Sequence, residues 1–248
     1  MSEAKLLLKT TGLTRRFGGL VAVSDLNLSI HEGEILGLIG PNGAGKSTTF
    51  NLISGFIKPS AGRLEVFGQD CTGMSPTKIS RMGLVRTFQH GSYMRTMTVR
   101  DNILLGTVHG LSRAGSAERA KRVEETASIV GLTQYLDNEA GTLPHGIQRL
   151  VSIAIAFAAR PKLLCLDEPL TGLNQTEVAT ILNVFRTIRK DFGATILLVE
   201  HNMKAVMSVC DRIFVLHHGQ HLATGTPTEV RANEKVIAAY LGNKRHDK

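Results

Sequence analysis

The strongest chemical signal in the chain is Gly40-Pro41-Asn42-Gly43-Ala44-Gly45-Lys46-Ser47, which fits the spacing G-x-x-x-x-G-K-S/T. It follows the apolar run Ile35–Ile39 and precedes Thr48 and a helical pattern reaching about Gly55. Glycines in such a loop let backbone N–H groups curl around phosphate oxygens, and the following helix N-terminus adds partial positive charge. Lys46 would reach the terminal phosphates of a nucleotide, and the Ser47 hydroxyl is a magnesium ligand of the right kind. The second signal is Leu163-Leu164-Cys165-Leu166-Asp167-Glu168, an apolar run ending in adjacent carboxylates. Asp167 would hold magnesium, directly or through water, and Glu168 would orient or deprotonate an attacking water. Together the two signals describe hydrolysis of a nucleoside triphosphate.

These groups need elements to hold them. Leu6–Leu13 and Val21–Ile30 read as strands, with Phe17-Gly18-Gly19 turning between them. Ile35–Ile39 is apolar throughout, as a strand covered on both faces requires. From about residue 90 to 159 the pattern turns helical; in Glu118–Val130, for example, Ala120, Val123, Ala127 and Val130 share one face. After Pro161 strands and helices alternate again, through Leu163–Leu166, Gln175–Lys190, Ala194–Val199, Met203–Val209 and Arg212–Leu216. This order predicts an α/β fold with a mainly parallel sheet core, N-terminal antiparallel strands and an inserted helical subdomain at about 90–159, all in one domain spanning 1–248.

Composition narrows the partners. The 248 residues are 42% hydrophobic and 20% charged, which excludes a disordered or collagen-like chain. Cys71, Cys165 and Cys210 are too scattered for a zinc site or a disulfide framework. Neither the start, MSEAKLLLKT, nor the longest apolar stretch, Leu150–Ala159, reaches the roughly 18 residues of a membrane span. A net charge of +8 points to an anionic partner: nucleic acid, lipid headgroups or phosphate. Arg81, Arg86, Arg95 and Arg100 lie in a stretch without an acid and supply half of that net charge.

With the residues between them, these motifs resemble the ATP-binding subunit of an ABC transporter from about Leu6 to Gly242. The resemblance implies that ATP and Mg2+ bind, and it assigns further residues. Phe17 matches the aromatic that stacks on adenine, Gln89 the glutamine that senses magnesium, and His201 the switch histidine. Leu143-Pro144-His145-Gly146-Ile147-Gln148 takes the place of the signature that contacts the partner's nucleotide. Closer still is the branched-chain amino-acid uptake branch. Its hallmarks are Arg86-Thr87-Phe88-Gln89-His90, Met97-Thr98-Val99 with Asp101-Asn102, Gly172-Leu173-Asn174, Glu200 through Lys204, Asp211-Arg212-Ile213, Gly225-Thr226-Pro227 and Ala238 through Gly242. That branch implies a second, related ATPase chain, two transmembrane permease subunits and, indirectly, a solute-binding protein, with this chain peripheral on the cytoplasmic face of the membrane.

The sequence departs from the family at the signature, usually L-S-G-G-Q. Pro144 brings neither hydroxyl nor N–H, and Ile147, Leu150 and Ile155 replace one polar and two cationic residues. The expectation is an asymmetric pair in which the site borrowing this signature turns over slowly. Two other readings remain: a lipid-extracting or export ATPase, and an ABC ATPase acting on nucleic acid. The absence of a basic run with interleaved aromatics argues against the latter, so no nucleic acid is expected.

Overall fold

The computed structural model describes residues 5–87, 93–108 and 115–241. In chain order the elements are β1 (Leu6–Phe17), β2 (Leu20–Leu26), β3 (Ser29–His31), β4 (Ile35–Ile39), α1 (Lys46–Ile53), β5 (Ala61–Val66), β6 (Gln69–Asp70), α2 (Pro76–Met82) and β7 (Leu84–Arg86). There follow α3 (Val99–Val108), α4 (Ser116–Val130), α5 (His145–Ala158), β8 (Leu163–Asp167) and α6 (Gln175–Phe192). The chain ends with β9 (Thr195–Val199), α7 (Met203–Val209), β10 (Arg212–His217), β11 (Gln220–Gly225), α8 (Pro227–Ala232) and α9 (Glu234–Leu241).

By packing the chain divides into two units. One comprises the residues up to Ile79 together with those from Thr195 onward. In it β1 is the hub of an antiparallel sheet, paired with β2, β3 and β5. A second sheet runs β11-β10-β4-β9, with β4 parallel to both β10 and β9. All five residues of β4 are buried, which explains its unbroken apolar run. The other unit runs from Ser80 to Ala194. It holds the parallel pair β7–β8, helices α3 to α5 between them in sequence, and α6.

Local chemistry sets the helix ends. At α6 the Asn174 side chain accepts from the Glu177 N–H at 3.0 Å and the Glu177 carboxylate accepts from the Asn174 N–H at 2.9 Å, a reciprocal cap. One face of α6 buries Ile181, Leu182, Val184, Phe185 and Ile188, and Gly193 ends it at φ 63°. Thr226 and Glu229 cap α8 in the same way, with Pro227 at its first turn.

The mainly parallel core, the N-terminal antiparallel strands and the intervening helices are those expected from the pattern. Differences concern boundaries. The expected second strand is two, β2 and β3. Asp25 takes φ 50°, and the Asn27 amide donates to the Asp25 carbonyl at 2.9 Å, so local turn bonds interrupt the ladder. The alternation in sequence survives that break because Leu26, Leu28 and Ile30 all point inward. Strand β11 and helices α8 and α9 lie beyond the elements read from the pattern.

Candidate nucleotide site

The phosphate loop joins buried β4 to α1. Its shape depends on two glycines. Gly45 precedes the helix at φ 98°, and a Cβ there would lie 2.7 Å from the Ala22 carbonyl oxygen. At Gly40 a Cβ would lie 2.3 Å from the Leu216 carbonyl oxygen. The loop is held from both sides: Ala44 N–H donates to the Pro41 carbonyl at 3.1 Å, and Gly219 N–H donates to the Ala44 carbonyl at 3.0 Å. Asn42, Gly43 and Ser47 are exposed and Thr48 is half-buried.

Lys46 is only 8% exposed. Its Nζ donates to the carbonyls of Gly40 at 2.8 Å and Pro41 at 3.1 Å. A buried ammonium folded onto its own loop is a cation in store for phosphate oxygens. A loop packed too closely for a side chain at Gly40 and Gly45, with the lysine ammonium folded onto it, fits a polyphosphate.

Phe17 ends β1 and is 44% exposed. The Arg15 guanidinium lies 4.5 Å from the ring centroid, and Arg15 is itself anchored on the Lys58 carbonyl at 2.8 Å. A ring backed by a fixed cation can stack a base on its other face. His201 follows β9 and is exposed. The buried Glu200 carboxylate shapes its turn, accepting from the N–H of His201 at 3.1 Å and of Asn202 at 3.4 Å. Asn202 then caps α7 through the Ala205 N–H at 3.1 Å.

In the Ser80–Ala194 unit, Asp167 ends β8 and is 8% exposed. Its backbone is fixed by Thr87, whose N–H donates to the Cys165 carbonyl at 2.9 Å and whose hydroxyl accepts from the Asp167 N–H at 3.4 Å. Arg86 faces the Asp167 carboxylate at 3.7 Å. Burial holds the Arg86 pKa below the usual guanidinium value, with Asp167 opposing the shift. Sequence reasoning took Arg86 as part of a hallmark phrase and of a basic stretch, and missed this pair. Glu168 stands at φ 47°, a left-handed conformation that costs a non-glycine residue about 1–2 kcal/mol. It precedes Pro169 and turns the chain sharply off the strand. Asp167 carboxylate and Ser47 hydroxyl are hard oxygen donors, the chemistry that magnesium takes. Gln89 lies outside the described residues.

The signature segment opens α5, with Pro144 as its cap residue. Gln148 is spent internally: its amide nitrogen donates to the carbonyls of Leu143 at 2.8 Å and Gly141 at 3.3 Å, and its oxygen accepts from the Tyr93 hydroxyl at 2.6 Å. Leu143 and Ile147 are half-buried, and His145 is exposed. Gly146 is buried against Glu177, where a Cβ would lie 2.5 Å from the carboxylate oxygen. Leu150 is 4% exposed, so its change from arginine belongs to the core and takes no cation from a surface. The arginine-rich stretch needs a similar correction. Arg100 pairs with Glu124 and Asp137, and Arg86 with Asp167, so half of that charge is balanced within the chain.

The family model described as ABC transporter matches residues 23–171. The chain belongs to the ABC transporter family. It is an ATP-binding, ATP-hydrolysing subunit of that family. A second model, branched-chain amino acid ATP-binding cassette transporter, matches residues 220–246. The high-affinity branched-chain amino acid transport ATP-binding protein LivG of Escherichia coli K12 is 42% identical over 95% of this chain and 98% of its own. The lipopolysaccharide export system ATP-binding protein LptB of Acidithiobacillus ferridurans is 34% identical over 98% and 99%. Among solved structures, the ADP conformation of MJ1267, an ATP-binding cassette of an ABC transporter, shares a TM-score of 0.87 at 29% identity, over 96% of this chain and 99% of that one. Among the described residues no helix is long and apolar enough to cross a membrane.

Proposed function

We propose that this ABC ATPase powers uptake of branched-chain amino acids, bound peripherally to the cytoplasmic face of a membrane, on two permease subunits and beside a second, related ATPase chain. The observation carrying this reading is the match of residues 220–246 to the branched-chain model, on top of 42% identity to LivG. Import is favoured over lipid export because the likeness to LptB stands at 34% identity, against 42% for LivG.

The residues then take the roles that the family gives them. Lys46 exchanges the carbonyls of Gly40 and Pro41 for phosphate oxygens, and the loop N–H groups take the rest of the charge. Phe17 stacks the base. Glu168 orients the attacking water and accepts its proton, with His201 and Gln89 steadying the terminal phosphate and its metal. Magnesium, held by Ser47 and Asp167, would neutralise charge developing on the β- and γ-oxygens.

Extraction in mild detergent with this chain as bait, followed by mass spectrometry, tests the assembly. Two permeases and a second ATPase chain support it. Recovery with lipid-export subunits, or as a self-pair without a membrane protein, overturns it. Leucine uptake lost on deleting the gene and restored by the wild-type chain, but not by Glu168→Gln, completes the test.

The asymmetric pair remains part of the proposal, now resting on Pro144 and Ile147. Pro144→Ser restores the family hydroxyl and is expected to raise turnover of the assembled complex severalfold. Unchanged turnover would sink the asymmetry.

A further inference from the structure

The last three helices enclose a groove that the nucleotide chemistry does not use. Met203, Lys204 and Met207 of α7, Arg231 of α8, and Val236 and Tyr240 of α9 line a cavity of about 570 Å³, within the size range of small-molecule sites. Its walls are mainly apolar, and the two methionines can adapt to an irregular ligand. Lys204 and Arg231 are its charged groups; among the described residues no carboxylate lines it and neither cation forms an ion pair. The tail beyond residue 241 carries Lys244, Arg245 and Lys248 against Asp247, so like charge argues against the chain's own end as the occupant.

Two walls of the groove lead to the nucleotide site. Helix α7 starts two residues after His201. The Tyr240 hydroxyl is buried against the backbone of Gly40 in the phosphate loop. Burial pushes its pKa up to about 12, so the hydroxyl stays a neutral donor across the physiological range.

We propose that this groove binds a small aliphatic monocarboxylate, its carboxylate on Lys204 and Arg231 and its chain among the methionines and Val236, and that Tyr240 couples its occupancy to the nucleotide site. A zwitterionic amino acid is a poorer fit, since its ammonium would meet two cations and no acid. The site is independent of the transported solute.

The test uses the full-length chain and hexanoate, octanoate and decanoate in calorimetric titrations, with decanol and decylamine as neutral and cationic controls. Affinity should rise about fourfold per added buried CH2, and decanoate should bind at least tenfold better than either control. Met207→Trp, which fills the groove, and the double variant Lys204→Met/Arg231→Met should lose decanoate while keeping wild-type affinity for a fluorescent ATP analogue. Decanoate should change affinity for that analogue by threefold or more, and the analogue should change decanoate affinity by the same factor. Tyr240→Phe should keep decanoate binding and lose that coupling. Absent binding at millimolar decanoate, equal binding of decanol, or wild-type binding by both groove variants would each overturn the site. Unchanged coupling in Tyr240→Phe would overturn the role of Tyr240. Failure of decanoate to bind, with the groove protected from hydrogen exchange only in the assembled transporter, would make it a protein interface instead.

Discussion

Gly146 offers a measurement that separates folding from signalling in the signature segment. It is the second residue of α5, and a Cβ there would meet Oε1, Cδ and Cγ of Glu177 at 2.5, 2.7 and 2.9 Å. Alanine in place of glycine within a helix gains up to about 1 kcal/mol. To admit the methyl group, the whole Glu177 side chain must swing away from the Asn174 N–H that it now holds at 2.9 Å. Losing that half of the α6 cap costs about 1 kcal/mol. Gly146→Ala should therefore be close to neutral or slightly destabilising in the wild type. In a Glu177→Ala background, where the cap bond is already gone, the same change should stabilise by about 0.5–1 kcal/mol. The double-mutant cycle then shows a coupling of about 1 kcal/mol, or some 2–4 °C in Tm for a chain of this size. Urea denaturation of the four proteins by circular dichroism measures it. Equal effects of Gly146→Ala in both backgrounds would refute the argument that Glu177 imposes glycine here. An aspartate at 146 would add like charge beside Glu177, so any loss of ATPase in such a variant must first be corrected for folding.

Three further outcomes are expected. Glu168→Gln should lower ATP turnover of the assembled complex by at least 100-fold while leaving ATP-analogue affinity within threefold; phosphate release and fluorescence titration measure the two, and retained turnover would remove Glu168 from its role. Arg86→Met leaves Asp167 buried without the cation at 3.7 Å and should destabilise the fold by roughly 2 kcal/mol, with millimolar magnesium raising Tm more in the variant than in the wild type; an equal magnesium response would show that the metal does not reach Asp167. Burial pushes the Cys165 and Cys210 thiols up to about 12 from an ordinary value near 9. The fold favours their neutral form, so this stabilisation is complete below about pH 9 and fades as pH rises toward 12. Iodoacetamide at pH 8.5 should accordingly label both only in urea, and rapid native labelling would contradict their burial.

What the sequence disclosed followed from local necessity. A glycine-rich loop between an all-apolar strand and a helix has few uses, and the structure packs Gly40 and Gly45 too closely for a side chain and folds Lys46 onto the loop. The span Met203–Val209 was readable to the residue because Asn202 caps it. Pairings distant in sequence were not readable: Arg86 with Asp167, and Gly146 with Glu177, depend on packing that no periodicity encodes. Several hallmark phrases turn out to be structural. Thr98 and Asp101 bond reciprocally at the start of α3, at 2.6 and 3.0 Å, and buried Asn102 ties the Met94, Met97 and Thr98 carbonyls. Asp211 accepts from the Ile35 N–H at 2.8 Å, while Arg212 grips Glu34 at 2.8 Å and 3.1 Å, so that pair anchors the strand leading into the phosphate loop. These contacts hold loops and strand ends in place.

The altered signature is best understood through the backbone. A serine at 144 would offer a hydroxyl, and proline does not; Gln148, the other polar side chain of the motif, is already committed to Leu143, Gly141 and Tyr93. The Gln148 N–H closes the first turn on the Pro144 carbonyl at 3.0 Å, which leaves the N–H groups of His145, Gly146 and Ile147 as the unsatisfied donors of the helix start. The first turn itself carries no acid, and the Glu177 carboxylate packed against Gly146 is engaged by the Asn174 N–H at 2.9 Å. Proline is tolerated at this cap position because its fixed φ, here −56°, suits the extended backbone that leads into α5. A helix N-terminus of this kind can still receive a phosphate through main-chain donors and the positive end of its dipole. The loss of the serine therefore removes one directional hydrogen bond while keeping the anion-binding frame. That combination favours retained nucleotide binding with slower turnover, the behaviour expected of the weaker site in an asymmetric pair.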